Sequence, residues 1–258
     1  MSRFAGKVAI VTGSSNGIGQ AAAVLLASEG ASVTIHGRSE EGLQTTEKLI
    51  LEKGIPTERI LSVQGDIKDD ETIKELVERT LERFGKIDVL VNNAGIRSKP
   101  GMAEELVEQY DHIHDVNIKS IIKLNHLVEP HLEKTKGNIV NVSSVVAHVA
   151  CTFYFYAMSK AALDHYMRSR THELAKKGIR INNVNPGYIF TTILHKLGWS
   201  DDAIEKCYAD VEKYVPLGRR GTVEEIGKAI AFLASEDASY ITGVALLADG
   251  GLSQGHPL

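Results

Sequence analysis

A tyrosine and a lysine four residues apart, Tyr156 and Lys160, are the side chains of this sequence best suited to proton transfer. In a helix, this spacing puts the phenol and the ammonium on one face. A free tyrosine has a pKa of about 10 and is a weak base near neutrality, and a neighbouring positive charge favours its phenolate. The residue four beyond Tyr154 is Met158, so Tyr154 is expected to be pocket wall instead. Taken alone, the pair also fits an ordinary contact on a helix surface.

The segment from Val8 to Gly19 reads Val-Ala-Ile-Val-Thr-Gly-Ser-Ser-Asn-Gly-Ile-Gly, which predicts an apolar strand, a glycine-rich turn and a helix. Without Cβ atoms at Gly13, Gly17 and Gly19, a pyrophosphate can approach the free N–H groups and positive end of the helix that begins near Ile18. The spacing differs from G-x-G-x-x-G. A glycine-rich turn that binds no nucleotide is the alternative interpretation of this motif alone.

The composition indicates one globular domain, expected to span residues 1–258, since the chain has 258 residues, 43% of them hydrophobic and 24% charged. The formal net charge of −4 is spread along predicted amphipathic helices, so no nucleic-acid partner is expected. No apolar run approaches the roughly 20 residues of a membrane span, and the first strand starts too early to leave room for a signal peptide. We therefore expect a soluble, cytoplasmic protein.

The cysteines and histidines predict no metal site. Cys151 and Cys207 have neither metal-ligand spacing nor a C-x-x-C partner, which suits a reducing compartment. The ten histidines form no zinc pattern.

Short β-branched runs alternate with helical patterns along the whole chain. The predicted strands are Val8–Val11, Val33–His36, Ile60–Gln64, Val89–Val91, Asn138–Val142, Ile179–Val184 and Val244–Leu247. The predicted helices include Ile18–Glu29 before Gly30, Thr72–Phe84 before Gly85, and two longer ones within 102–134 and 156–175. His126 to His131 contains Pro130 and predicts the terminus of an element.

Repeated β-α-β units of this length predict an α/β fold, a doubly wound (Rossmann) seven-stranded parallel sheet covered on both faces, in a single domain. A reversal of strand order in such a sheet opens a crevice at the carboxyl ends of the strands. The glycine-rich turn lies at that edge, so we expect ligand and chemistry to meet there.

Further motifs follow the predicted strands in a regular order. They are Thr12-Gly13-Ser14-Ser15-Asn16-Gly17-Ile18-Gly19, Asp66-Ile67, Asn92-Asn93-Ala94-Gly95, Asn117, Ser143 thirteen residues before Tyr156, Asn185-Pro186-Gly187 with Thr191, and Asp249-Gly250-Gly251. With Tyr156 and Lys160 they make the chain resemble a single-domain short-chain dehydrogenase/reductase from its first strand to its last ten residues.

The resemblance implies a catalytic set. Tyr156 would be the acid/base, giving its proton to a substrate carbonyl oxygen as hydride arrives from a nicotinamide. Lys160 would lower the pKa of Tyr156 and bind the nicotinamide ribose. Ser143 would position the oxygen, because the thirteen-residue offset favours it over Ser144. Asn117 would hold a helix irregularity and a proton-relaying water, although an asparagine in a helix can also mark a mere local kink.

The end of the second predicted strand favours NADP(H). NAD-using relatives place an aspartate where this chain has Gly37, and Arg38 is placed to bind a 2′-phosphate. Asn16 stands where many NADP-using relatives add a second basic residue, and Glu40 follows closely, so the pattern is mixed. The predicted cofactor-binding residues are Gly13, Ser15, Asn16, Gly17, Ile18, Gly19, Arg38, Asp66, Ile67, Asn93, Ala94, Gly95, Tyr156, Lys160, Pro186, Gly187, Ile189 and Thr191.

The substrate side is the least defined by pattern. We expect His148, Tyr154 and Tyr188 to face the substrate, and a lid over about 188–216 to cover a mostly apolar pocket. These features imply an NADP(H)-dependent oxidoreductase that interconverts a ketone or aldehyde and an alcohol. The expected enzyme is a carbonyl reductase for an apolar small molecule. The alternatives are a 3-oxoacyl thioester reductase and a non-catalytic NADP(H)-binding sensor or scaffold. Relatives pair their long helices between subunits, so a homo-oligomer, tetramer or dimer, is expected.

Overall fold

In the computed structural model, which describes residues 2–103, 105–191 and 198–255, strands and helices alternate along the chain. The strands are β1 (Val8–Val11), β2 (Ser32–Gly37), β3 (Ile60–Gln64), β4 (Val89–Asn92), β5 (Asn138–Val142), β6 (Arg180–Pro186) and β7 (Ala245–Ala248). The α-helices among the described residues are α1 (Gly17–Ser28), α2 (Glu40–Leu51), α3 (Asp70–Phe84), α4 (Val107–His114), α5 (Ser120–Thr135), α6 (Tyr154–Lys176), α7 (Asp201–Glu212) and α8 (Val223–Ala234). Each strand lies within two residues of its predicted bounds.

The seven strands form one parallel sheet in the order β3-β2-β1-β4-β5-β6-β7. The chain winds outward in one direction from β1 to β3 and in the other from β4 to β7, so the strand order reverses between β1 and β4. The doubly wound fold predicted from the sequence is confirmed. Its switch point lies at the carboxyl end of β1, where the glycine-rich turn begins.

Two apolar cores cover the two faces of the sheet, and β1 contributes side chains to both. Its side chains alternate, because successive residues of a strand point to opposite faces. Ala9 and Val11 join the core that includes Leu26 of α1, whereas Ile10 joins the core that includes Leu124 of α5. All three β1 residues are fully buried, so the strand that carries the turn is held from both sides.

The helix before β5 departs from the prediction in one respect. His126 to His131 is not an element terminus, because α5 continues through Pro130 to Thr135. Between α4 and α5 the chain makes a π-helical turn over Asp115–Lys119. An extra residue in one turn changes which side chain faces inward, and such turns are frequent at functional sites.

Two kinds of feature are absent from residues 2–103, 105–191 and 198–255. Among them, no helix combines the length and the apolar character needed to cross a lipid bilayer. The same residues contain no group of three or more histidine, cysteine or acidic side chains arranged to hold a metal ion.

Candidate active site

A cavity of about 340 Å³ opens at the carboxyl ends of β1, β4, β5 and β6. It gathers segments that are far apart in the sequence. Every residue predicted to bind the cofactor lines it except Gly19: Gly13, Ser15, Asn16, Gly17, Ile18, Arg38, Asp66, Ile67, Asn93, Ala94, Gly95, Tyr156, Lys160, Pro186, Gly187, Ile189 and Thr191. Gly19 packs against the turn, where an added Cβ would lie 2.5 Å from the carbonyl oxygen of Gly13.

The glycine-rich turn is braced by the loop that follows β4. Gly13 has a φ of +64°, and a Cβ there would lie 2.8 Å from the Cα of Ala94. The Asn93 amide donates to the carbonyl oxygens of Thr12 and Gly13 at 3.0 and 2.9 Å. In return, the Thr12 hydroxyl accepts from the backbone N–H groups of Asn93 and Ala94, each at 3.0 Å. The amide of Asn93 therefore shapes the turn.

The start of α1 has the features of an anion site. Gly17, with a φ of +61°, is the first residue of the helix. A Cβ atom added there would lie 3.9 Å from the Cβ of Thr191. The Asn16 side chain makes no capping hydrogen bond to the first turn. Backbone N–H groups and the helix dipole at such an end attract phosphate oxygens. This donor set fits a dinucleotide pyrophosphate.

Positive charge surrounds the end of the cavity next to β2 and β3. Arg38 and Lys68 both line it, together with Asp66 and His112. Burial lowers the pKa of His112, and the charges of Lys68, Lys99 and Arg38 lower it further, so these cations lie close together. Lys68 was not predicted; it follows the Asp66-Ile67 motif directly and could have been noticed as a second cation for a 2′-phosphate.

Asp66 itself closes the turn after β3. Its carboxylate accepts the Lys68 backbone N–H at 3.0 Å, and the Lys68 ammonium lies 3.7 Å from its other oxygen. It does not cap the next helix, because the residue before α3 is Asp69. The carboxylate of Asp66 therefore stays at the wall of the cavity, where cofactor binding was predicted.

Ser143 and Ser144 differ in their relation to the Tyr156 phenol. Hydrogen bonding by the Ser144 side chain acts to lower the pKa of Tyr156. The Ser143 hydroxyl donates instead to the carbonyl oxygen of Lys160 at 3.3 Å, and Ser143 continues the sheet through its N–H bond to Val184. Both serines line the cavity, so the thirteen-residue offset that favours Ser143 as the catalytic serine stays a prediction.

The pKa of Tyr156 departs from expectation. Burial of the phenol raises its pKa to about 12. Hydrogen bonding by Ser144 and the positive charge of Arg97 act to lower it. The Lys160 ammonium lies 5.6 Å from the centre of the Tyr156 ring and donates to the Val142 carbonyl oxygen at 2.8 Å. Desolvation therefore has the largest effect on the pKa of Tyr156, and the expected lowering by Lys160 does not dominate.

Lys160 is itself buried, with 4% of its surface exposed. Burial lowers its pKa to about 8, and the nearby carboxylate of Asp164 opposes that shift. An ammonium with this pKa is charged at neutral pH and loses its proton within the range of ordinary assays.

Asn117 lies in the π-helical turn and is fully buried. Its amide donates to the Ile96 carbonyl oxygen at 2.9 Å and to the Ser159 hydroxyl at 3.0 Å, and its oxygen accepts the Ile96 N–H at 2.9 Å. The predicted helix irregularity is present, and the side chain ties it to the loop after β4. A water held by this turn stays a prediction.

The three predicted substrate residues do not line the cavity. His148 lies against the buried Asp164, its Nε2 atom 3.1 Å from the carboxylate. Tyr154 is 45% exposed and Tyr188 is 37% exposed. Residues 192–197 of the predicted lid lie outside the described residues, so contact of these side chains with a substrate stays a prediction.

Sequence reasoning missed Arg97, two residues beyond the Asn-Asn-Ala-Gly motif. It lines the cavity with Tyr156. Its guanidinium carbon stacks 3.8 Å from the ring centre of Phe153 and lies 5.9 Å from that of Trp199. A cation so close to a conspicuous motif was the available signal.

The chain matches a family model described as enoyl-(acyl carrier protein) reductase over residues 13–253. It is 38% identical over 252 residues to a 3-oxoacyl-(acyl-carrier-protein) reductase of Thermotoga maritima, covering 97% of this chain and 99% of that protein. A glucose 1-dehydrogenase of Gluconobacter oxydans is 39% identical over 256 residues, covering 97% and 93%. The crystal structure of a Caenorhabditis elegans short-chain dehydrogenase/reductase of unknown function, with cofactor, superposes with a TM-score of 0.94 at 41% identity, over 98% and 97% of the two chains.

Proposed function

Because the chain belongs to the short-chain dehydrogenase/reductase family, we propose that it is an NADP(H)-dependent carbonyl reductase. Its substrate would be an apolar ketone or aldehyde, interconverted with the alcohol. The observation that supports this proposal best is the single cavity that joins the glycine-rich turn to Ser144, Tyr156 and Lys160. Such a cavity lets a bound dinucleotide and a reacting carbonyl meet at one acidic hydroxyl.

The chemistry of the site suits proton donation. With a pKa raised to about 12 by burial, the Tyr156 phenol keeps its proton at neutral pH and can give it to the carbonyl oxygen of a substrate. Ser144, which lines the same cavity, would donate to the same oxygen as negative charge develops. A nicotinamide cofactor supplies the hydride.

Lys160 and the turn would hold the cofactor. The Lys160 ammonium, fixed by Val142, is placed to bind a ribose hydroxyl and to keep positive charge beside Tyr156. The first turn of α1 would bind the pyrophosphate. The preference for NADP(H) rests on Arg38 and Lys68, whose charges meet at the end of the cavity where an adenosine 2′-phosphate would lie.

The similarity to a 3-oxoacyl-(acyl-carrier-protein) reductase favours one alternative substrate, a 3-oxoacyl thioester. The same catalytic residues would serve that reaction. A cofactor-binding sensor without turnover is a weaker alternative, because Ser144, Tyr156 and Lys160 are all present and brought together.

We also propose that the protein is a cytoplasmic homo-oligomer, dimer or tetramer, in which helices of two copies pack together. Leu127 on α5 and Met158 on α6 support this, since they are 44% and 48% exposed in the single chain. A sedimentation experiment that finds only monomer at micromolar concentration would contradict this assembly.

The test of the proposed function is NADPH oxidation by purified protein with steroid, diketone, quinone, aliphatic and acyl-thioester carbonyls. NADH and the variant Tyr156→Phe run in parallel. We expect turnover with NADPH that the variant loses while it still binds NADPH. Binding of NADPH without turnover of any carbonyl would favour the sensor, and turnover restricted to thioesters would favour the alternative reductase.

A further inference from the structure

Arg97 lies against the aromatic rings of Phe153 and Trp199 and lines the cavity together with Tyr156. Resting on the proposed function, we propose that Arg97 is a specificity-determining residue that binds a carboxylate on the substrate. The substrate class is then an oxo acid, with an apolar or aromatic body and a carboxylate close to the reacting carbonyl.

The first support is position. Arg97 lines the same cavity as Ser144 and Tyr156, and it comes from the loop after β4, whose Gly95 also lines that cavity. A Cβ on Gly95 would lie 3.5 Å from the Lys160 ammonium nitrogen, which places this loop directly beside the catalytic group.

The second support is electrostatic reach. Burial raises the pKa values of Tyr156 and Tyr188, and the charge of Arg97 acts on both phenols in the opposite direction. The charge of the guanidinium therefore acts across the cavity that Arg97 and Tyr156 both line. A negative group on that substrate would gain from the same charge, and more so in a site screened from water.

The third support is the geometry of the guanidinium. Stacking at 3.8 Å on Phe153, with Trp199 at 5.9 Å, holds the planar group by its face. The N–H donors of arginine project in the plane of the group and match the two oxygens of a carboxylate. The same aromatic rings offer an apolar surface to the body of the substrate.

A competing explanation is that Arg97 only tunes Tyr156. That role would affect every carbonyl substrate equally, whether charged or neutral. A carboxylate-binding role affects only the acid. Acids and their methyl esters, which share the carbon skeleton, therefore separate the two explanations.

The experiment measures binding, in the presence of saturating NADPH, to Tyr156→Phe protein, which holds a carbonyl ligand without reducing it. The probes are benzoylformate and 3-benzoylpropionate, each paired with its methyl ester, and calorimetry gives the dissociation constants. We expect at least one acid to bind about tenfold or more tightly than its ester, as a charge-assisted pair provides.

Three further variants in that background test the residue. Arg97→Met should reduce the acid-to-ester ratio to about one, and Arg97→Lys should retain part of it, because charge remains and the fork is lost. Lys99→Met is the matched control, since Lys99 is an exposed cation of the same loop and does not line the cavity. It should leave the ratio unchanged.

Equal binding of acid and ester in both pairs overturns the proposal, as does a ratio that survives Arg97→Met in protein that still binds NADPH. The proposed function has a separate readout, NADPH oxidation by the wild-type protein. Acid binding that depends on Arg97 without turnover of any carbonyl, these two acids and their esters included, would overturn the reductase and keep the carboxylate site.

Discussion

The hydroxyl of Ser143 donates to the carbonyl oxygen of Lys160 at 3.3 Å and joins the end of β5 to α6. Hydrogen bonding by the side chain of the neighbouring Ser144 acts instead to lower the pKa of Tyr156. Both serines line the cavity. We therefore propose that Ser144 serves the reacting group and that Ser143 joins the strand end to the helix.

The first prediction concerns this pair of serines. Ser144→Ala should lower kcat for carbonyl reduction on the order of 10²-fold, because it removes a donor to the developing oxyanion. Ser143→Ala is the matched control and should change kcat by less than about fivefold while lowering the free energy of unfolding by ~1 kcal/mol. Steady-state kinetics and urea unfolding of both variants measure this. The reverse order of kcat losses would identify Ser143 as the catalytic serine.

The sequence was sufficient to predict the sheet and many of the residues that line the cavity, and the reason is local. Apolar runs of four to seven residues, such as Val8–Val11, define strands by their length and by the turns around them, and parallel strands bring their carboxyl ends to one edge. Gly13 and Gly17 need positive φ values, which glycine alone adopts easily, so their position in the sequence fixes the shape of the turn.

The parts of the site that the sequence does not decide have equally physical causes. The choice between Ser143 and Ser144 depends on which face a strand end presents, and a one-residue difference in a loop reverses it. The pKa of Tyr156 depends on how completely distant segments enclose the phenol. Lys68 and Arg97 lie in loops that have no periodicity, so only the folded chain shows that they meet the same cavity as Tyr156.

The second prediction follows from the buried Lys160. Its pKa is about 8 in the folded protein against 10.5 for an ordinary lysine, so between these values the unfolded chain binds more protons. Stability must then rise with pH in that window. The free energy of unfolding of the wild type relative to Lys160→Met should increase on the order of 2 kcal/mol from pH 8 to pH 10.

Urea unfolding at several pH values measures that difference, because all other lysines are common to both proteins. The measurement stops at pH 10, because Tyr156 begins to titrate above that pH. Burial raises the pKa of Tyr156 from 10 to about 12, so its contribution to the free energy of unfolding is lost as the pH rises further. A difference that stays flat from pH 8 to pH 10 would show that Lys160 has an ordinary pKa in the folded protein.

The third prediction concerns cofactor preference. Arg38→Leu and Lys68→Met should each raise the NADPH dissociation constant about tenfold and leave that of NADH nearly unchanged, because only NADPH carries the 2′-phosphate. NADPH fluorescence titration measures both. Glu40→Gln, at the first position of α2 and two residues after Arg38, is the matched control and should not weaken NADPH binding. Equal losses for NADPH and NADH would place these cations elsewhere on the cofactor.

A change to NADH preference should need two substitutions. Gly37→Asp supplies the acid that binds a ribose 2′-hydroxyl, but a Cβ at Gly37 would lie 2.9 Å from the Cβ of Ser15. Gly37→Asp alone should therefore weaken both cofactors, and Gly37→Asp with Ser15→Gly should recover NADH binding. Tight NADH binding by the single variant would contradict the steric argument.

The last prediction concerns His148, which lies against Asp164 outside the cavity lining. The same carboxylate accepts from Asn183 and Asn185 at 2.8 Å each, and the Asn185 amide also donates to the carbonyl oxygen of Ser144 at 3.1 Å. This network connects α6 to the turn that positions Ser144. His148→Ala removes one polar contact with Asp164 and should lower Tm by about 2 °C with KM unchanged. Asp164→Leu leaves the two asparagine amide donors without this acceptor and should destabilise by about 3 kcal/mol or more. Differential scanning calorimetry and steady-state kinetics on both variants decide the matter: a large rise in KM for His148→Ala at an unchanged Tm would mean that the imidazole contacts the substrate instead.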